Sequence, residues 1–172
     1  RVLRVSPPPA PRDARNGHDL ALLQVTSMLD GAPLGGAIVD ERRGVARALP
    51  LGDEAQLAAG DAVVLLGYGK AASGFAASAT ATRGVFAGRV DHSTSGAWLR
   101  TDALMLSGHS GGPALSAEGR VVGWSVRSQY DRVMHGRGFY AAGLNEARPV
   151  SLLRRELRAL VCARGAAAPP TG

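Results

Sequence analysis

The feature that most restricts the fold is the punctuation of the chain. Short apolar runs are broken every few residues by Gly, Pro, Asp or Ser, with 23 Gly and 10 Pro among 172 residues. Glycine ends regular structure by its backbone freedom, proline by its locked φ and missing N–H. Runs this short suit strands better than helices, so the pattern predicts an all-β antiparallel sandwich or barrel. Strands are expected over Val2 to Val5, Leu20 to Val25, Ala62 to Tyr68, Ala79 to Val90, Ala97 to Thr101, Val121 to Val126 and Gly138 to Ala142. One helix is expected, from about Pro149 to Val161. There Val150, Leu153, Leu157 and Leu160 share one face, and Arg154, Arg155 and Arg158 lie on the other. The stretch Asp30 to Gly60, rich in Gly, Pro and charge, separates an early β fragment from a longer β unit, with the boundary near Leu49. Residues 162–172, without periodicity, are expected to form a flexible tail.

Hydrophobic residues at 45% and charged residues at 20% describe a globular chain. The single cysteine, Cys162, excludes an intrachain disulfide. With only four scattered histidines it also excludes a thiolate-rich zinc site, and neither metal nor cofactor is expected. The net charge of +6 raises nucleic acid or an anionic surface as a partner. All the basic residues except Lys70 are arginines, however, spread singly or in pairs, so no nucleic-acid partner is expected. The longest apolar run, Ala62 to Leu66, falls far short of the roughly 20 residues of a membrane span.

The segment that carries chemistry is Thr101 to Val126, TDALMLSGHSGGPALSAEGRVVGWSV, in which Ser110 is flanked by Gly108, Gly111 and Gly112. A serine hydroxyl becomes a useful nucleophile only when a base takes its proton and donors stabilise the resulting oxyanion. Glycines permit the backbone that points successive N–H groups into one small cavity. The same residues also suit a plain turn between two strands. Asp19 heads the apolar run Leu20 to Val25, where a buried carboxylate needs a partner or else simply caps the preceding turn.

Taken in order, HDLALLQV, LGD with GDAVVLLGYG, TRGVFAGRV, LRTDA with GHSGGPALSAEGRVVGWSV, and GFYAAGL resemble the chymotrypsin-fold serine peptidases, in particular the bacterial HtrA-like, trypsin-like group. The resemblance spans roughly Gly17 to Leu160 and implies two six-stranded β-barrels with the active site between them. Residues 1–48 would then be a remnant of the first barrel and its linker, and residues 49–161 the second barrel with its closing helix. Ser110 would be the nucleophile, Asp19 the acidic member of the triad, and the loop Gly108-His109-Ser110 the oxyanion hole, through the N–H groups of Gly108 and Ser110. The substrate would be a polypeptide bound in extended form, and the setting secreted or periplasmic.

The family's catalytic histidine lies several dozen residues before the acidic member, and too little chain precedes Asp19 to hold it. His18 cannot both meet its neighbour Asp19 and reach Ser110, because successive side chains of an extended segment face opposite ways. His109 shares a tight turn with Ser110 and should point away from it; His92 and His135 read as solvated. The chain, which opens on Arg1, is therefore expected to be part of a longer peptidase with its histidine encoded upstream, and to turn over little by itself. Otherwise it is a relative that keeps the fold as a peptide-binding module. Where the branch cutting after Arg or Lys carries an Asp at the base of its pocket, this chain has Leu104. With Val126 and Ser128 as a wall, a pocket for small or medium apolar side chains is expected. GxSxG also matches the nucleophile elbow of α/β-hydrolases, but that elbow needs a helix directly after the serine, and Pro113 and Gly119 oppose one.

Overall fold

The computed structural model describes residues 2–5, 20–23, 48–71, 74–75, 78–92, 96–132 and 140–166. Ten strands and one α-helix occupy this span. They are β1 (Val2–Val5), β2 (Ala21–Leu23), β3 (Ala62–Gly67), β4 (Lys70–Ala71), β5 (Gly74–Phe75), β6 (Thr80–His92), β7 (Gly96–Thr101), β8 (Pro113–Ser116), β9 (Val121–Arg132), β10 (Tyr140–Pro149) and α1 (Val150–Ala166). Six of them close a barrel in the order β3-β6-β7-β10-β9-β8, while β1 pairs with β2 and β4 with β5 in two-stranded sheets. All the barrel pairings are antiparallel. The expectation of an all-β barrel closed by a C-terminal helix is met.

Strand β3 shows why the run AVVLLG is apolar on both faces. Val63 and Leu65 point into the barrel, where they pack with Phe86, Leu99, Ala114, Val122 and Ala147. Val64 and Leu66 face outward, onto a second cluster of Leu115, Val121 and Val150 that Leu51 and Leu153 also join. One face fills the barrel and the other seats the helix, so alternation disappears from the sequence. The barrel is drawn tight at Gly84 and Gly123, where an added Cβ would run into Asp102 and Ala103 in one case and the Arg148 carbonyl in the other. Register shifts at Phe86/Gly88, with Gly88 at φ +119, and at Glu146/Ala147 bend β6 and β10 round the closure.

Three boundaries depart from expectation. Strand β9 continues beyond Val126 to Arg132, and β10 runs through Asn145-Glu146-Ala147-Arg148 to Pro149 and directly into the helix. Pro149 thus closes the strand and stands outside the first helical turn. The run NEAR looks like a loop in sequence because its charges have no local partners; their partners are on other strands. The helix also extends to Ala166, so Cys162–Ala166, assigned to the tail by the loss of periodicity, are helical.

Candidate active site

The segment joining β7 to β8 is held by two successive turns that share one residue. His109 N–H donates to Leu106 O at 3.0 Å across Ser107-Gly108, and Gly112 N–H donates to His109 O at 2.9 Å across Ser110-Gly111. The third residue of each turn is a glycine with positive φ, +97° at Gly108 and +83° at Gly111. A type II turn requires that conformation there, and an L side chain resists it. Gly112 has a different task, since a Cβ on it would strike the Leu66 carbonyl of β3. Three further bonds fix the loop: Lys70 N–H to Ser107 O, Gly111 N–H to Ser125 O, and Ser125 N–H to Gly112 O, at 2.6, 2.7 and 2.8 Å. With these bonds made, the N–H groups of Gly108 and Ser110 have no acceptor among the described residues.

Ser110 is exposed on this loop, and its Oγ donates to Val126 O on β9 at 3.2 Å. No imidazole reaches that hydroxyl among the described residues. His109 lies beside it in sequence but is completely buried, with Nε2 2.9 Å from Thr80 Oγ1. Asp19, His18 and His135 fall outside the described residues. Of the expected pocket residues, Val126 and Ser128 are half-buried, and Ser128 Oγ donates to Met105 O at 3.3 Å. Leu104 is 56% exposed, while its carbonyl takes the Thr82 hydroxyl. Asn145 Nδ2 donates to Ala103 O at 2.7 Å, so the segment 103–105 is tied to β9 and β10 together. Asp102 Oδ1 accepts from Val85 N–H at 2.7 Å, which makes it a staple to β6. Ser125, 1% exposed and bonded to the loop by both backbone groups, has a hydroxyl with no partner among the described residues.

Sequence reasoning missed a second polar centre on the outer face of β6, β7, β9 and β10. The Glu146 carboxylate is wholly buried and meets Arg127 at 2.6 Å, Arg100 at 3.2 Å and His92 at 3.3 Å. The Arg127 and Arg148 guanidiniums lie 4.3 and 3.9 Å from the Trp98 ring centroid. Burial pushes the Glu146 carboxyl upward, but hydrogen bonding and charge from Arg127, with help from Arg100 and His92, outweigh it and hold the group below its ordinary value. His92, expected to be solvated, instead belongs to this centre. A sequence signal did exist: Arg100 and Trp98 alternate with apolar Leu99 in β7, as Glu146 and Arg148 do with Ala147 in β10.

Strand β8 begins at Pro113, three residues after the serine, so no helix follows it and the nucleophile elbow of α/β-hydrolases is excluded. Residues 1–123 match the sequence profile of the trypsin-like peptidase domain. The chain belongs to that family. Among solved structures it is similar to "HtrA-type protease AlgW with decapeptide", at TM-score 0.52 and 21% identity over 66% of this chain and 33% of that one. A second AlgW structure with decapeptide gives TM-score 0.62 and 18% identity over 94% of this chain and 39% of that one. A third, with tripeptide, gives 0.51 and 21% over 66% and 36%. This trypsin-like peptidase domain therefore spans between a third and two-fifths of the length of those structures, and the likeness concerns the fold. No curated protein matches the chain. Among the described residues no helix is long and apolar enough to cross a membrane, and no group of three His, Cys, Asp or Glu is placed to hold a metal ion.

Proposed function

We propose that the domain forms the Ser110 half of a serine endopeptidase site that cleaves extended polypeptides through an acyl-enzyme. The observation that carries this reading is the pair of N–H groups, Gly108 and Ser110, without acceptors among the described residues, on either side of a residue whose own N–H is consumed within the turn. Donors left free beside an exposed hydroxyl are what a developing oxyanion requires. Attack by Ser110 Oγ on a peptide carbonyl would form a tetrahedral oxyanion in that cradle, with the hydroxyl proton passing to a histidine and then to the leaving amine. In this reading Asp19 orients that histidine. The buried hydroxyl of Ser125, without a partner among the described residues, supports a carboxylate acceptor supplied from outside them. The substrate would pair with β9 near Val126, its alternate side chains read by the wall of Val126 and Ser128 and by Leu104, which suits apolar residues before the cut. The HtrA-type proteases named above were solved with peptides, and by analogy polypeptide is the substrate class proposed here, in a periplasmic or secreted setting.

A second reading is favoured by one contact: Ser110 Oγ donates to the Val126 carbonyl and to no imidazole among the described residues. A domain fixed in that arrangement would bind peptide without cleaving it. A fluorophosphonate probe separates the two. The product of the complete reading frame should be labelled, and Ser110→Ala and Asp19→Asn should abolish or sharply slow the labelling. The 172-residue chain by itself should react little. A folded complete product that takes up no probe would leave the binding module as the function.

A further inference from the structure

His109 is the one residue common to both turns of the site loop. It is fully buried, and its ring turns away from Ser110 toward the barrel wall. Which nitrogen carries the proton follows from its neighbours. The Leu106 backbone N–H can only donate, and it faces Nδ1 at a long 3.5 Å, so Nδ1 is the acceptor. The proton of the neutral ring is then on Nε2, which donates to Thr80 Oγ1 at 2.9 Å. The single hydroxyl proton of Thr80 is in turn free for Gly67 O, also at 2.9 Å. Every donor in the relay from Leu106 through His109 and Thr80 to Gly67 finds an acceptor, and no other placement of the two movable protons achieves this.

The wall is also shaped for this ring. A Cβ at Gly67 would come within 2.8 Å of His109 Cα and 2.9 Å of Cδ2, and a Cβ at Gly69 within 2.9 Å of Nε2. Two glycines, at the end of β3 and just after it, thus leave room for an imidazole where a side chain would otherwise stand. Because His109 ends one turn and begins the next, holding its ring restrains both: the peptide that follows it carries the Ser110 N–H, and the Gly108 N–H sits inside the turn that the His109 N–H closes on Leu106 O.

We propose that His109, as a neutral Nε2–H imidazole keyed to Thr80, is the positioning residue that sets the anion cradle. It acts through the Gly108 and Ser110 amides and does not touch the substrate. The use of the cradle in acyl transfer rests on the function proposed above; the relay itself does not.

Histidine-selective ¹⁵N labelling with long-range nitrogen–proton spectra identifies the protonated ring nitrogen in the 172-residue chain. The expected result is Nε2–H alone, and an Nδ1–H tautomer would overturn the proposal. Thr80→Val removes the hydroxyl at nearly constant volume and should shift the Gly108 and Ser110 amide signals while leaving the core methyls of Leu65 and Val122 in place; Thr80→Ser should restore them. In the complete product, Thr80→Val should slow fluorophosphonate labelling about tenfold or more with unchanged probe affinity, again with rescue by Ser. Unmoved amides in a folded Thr80→Val chain, or failure of Ser to rescue, would refute the role. If Thr80→Val does not fold, the tautomer of the unaltered chain decides. A wild-type complete product that takes no label defeats the proposed function but leaves the tautomer and amide measurements able to uphold or reject the relay.

Discussion

The Leu106–Gly112 loop and the Glu146 centre both contain polar groups packed against the same barrel, and they treat those groups in opposite ways. The loop leaves two backbone donors without acceptors among the described residues and exposes the hydroxyl of Ser110 beside them. The Glu146 centre gathers two guanidiniums and an imidazole from three other strands onto one carboxylate and stacks one of those guanidiniums, Arg127, with Arg148 on Trp98. Unsatisfied donors are tolerable only where water or a ligand can reach them, and the loop is at the surface. A buried carboxylate is tolerable only when paired, so the centre consumes its own charge. The first arrangement suits a site awaiting an anion, the second a brace.

The contrast predicts that stability resides in the centre and reactivity in the loop. Glu146→Ala should have the largest effect, about 3–5 kcal/mol in urea unfolding, because it leaves Arg100 and Arg127 facing an empty acceptor site. Survival of the fold with less than about 1 kcal/mol lost would mean that the centre is no brace. The same carboxyl gives an acid limb. Its folded-state value lies below the ordinary 4.5, so its contribution is complete above that pH and is lost as pH falls below it toward the folded value. Glu146→Gln should flatten the fall in urea midpoint over that range.

Gly112→Ala comes next, at about 1–3 kcal/mol, since its Cβ meets the Leu66 carbonyl and backbone must move. Gly108→Ala should cost about 1–2 kcal/mol from the positive φ, and should open the cradle. Ser110→Ala should change stability by no more than about 0.5 kcal/mol while abolishing probe labelling, which is the sharpest form of the contrast. A large stability loss from this last variant would show that the exposed hydroxyl serves as a structural tie to Val126.

The turns of the loop were legible in the sequence. Gly108 and Gly111 mark turn positions that need a left-handed backbone, and that requirement is local, so the spacing located the turns around the serine, while the role of the Gly108 and Ser110 amides came from the family resemblance. The barrel class was legible for the same reason, from strand-length runs between turn residues. The strand β10 was not, because a run such as Asn145 to Arg148 is a poor strand until Ala103, Arg127 and Trp98 stand beside it. Asp19 lies outside the described residues.

By itself, then, the order of residues determined where the chain turns, which faces of β3 are apolar, and which serine is held among glycines, since each depends on neighbours a few positions away. Only the folded barrel decided that Glu146 is a buried, ionised brace and that the His109 ring, turned from Ser110, meets Thr80. Burying a charge or orienting an imidazole depends on donors and acceptors brought together from separate strands, and no local stretch of sequence contains them.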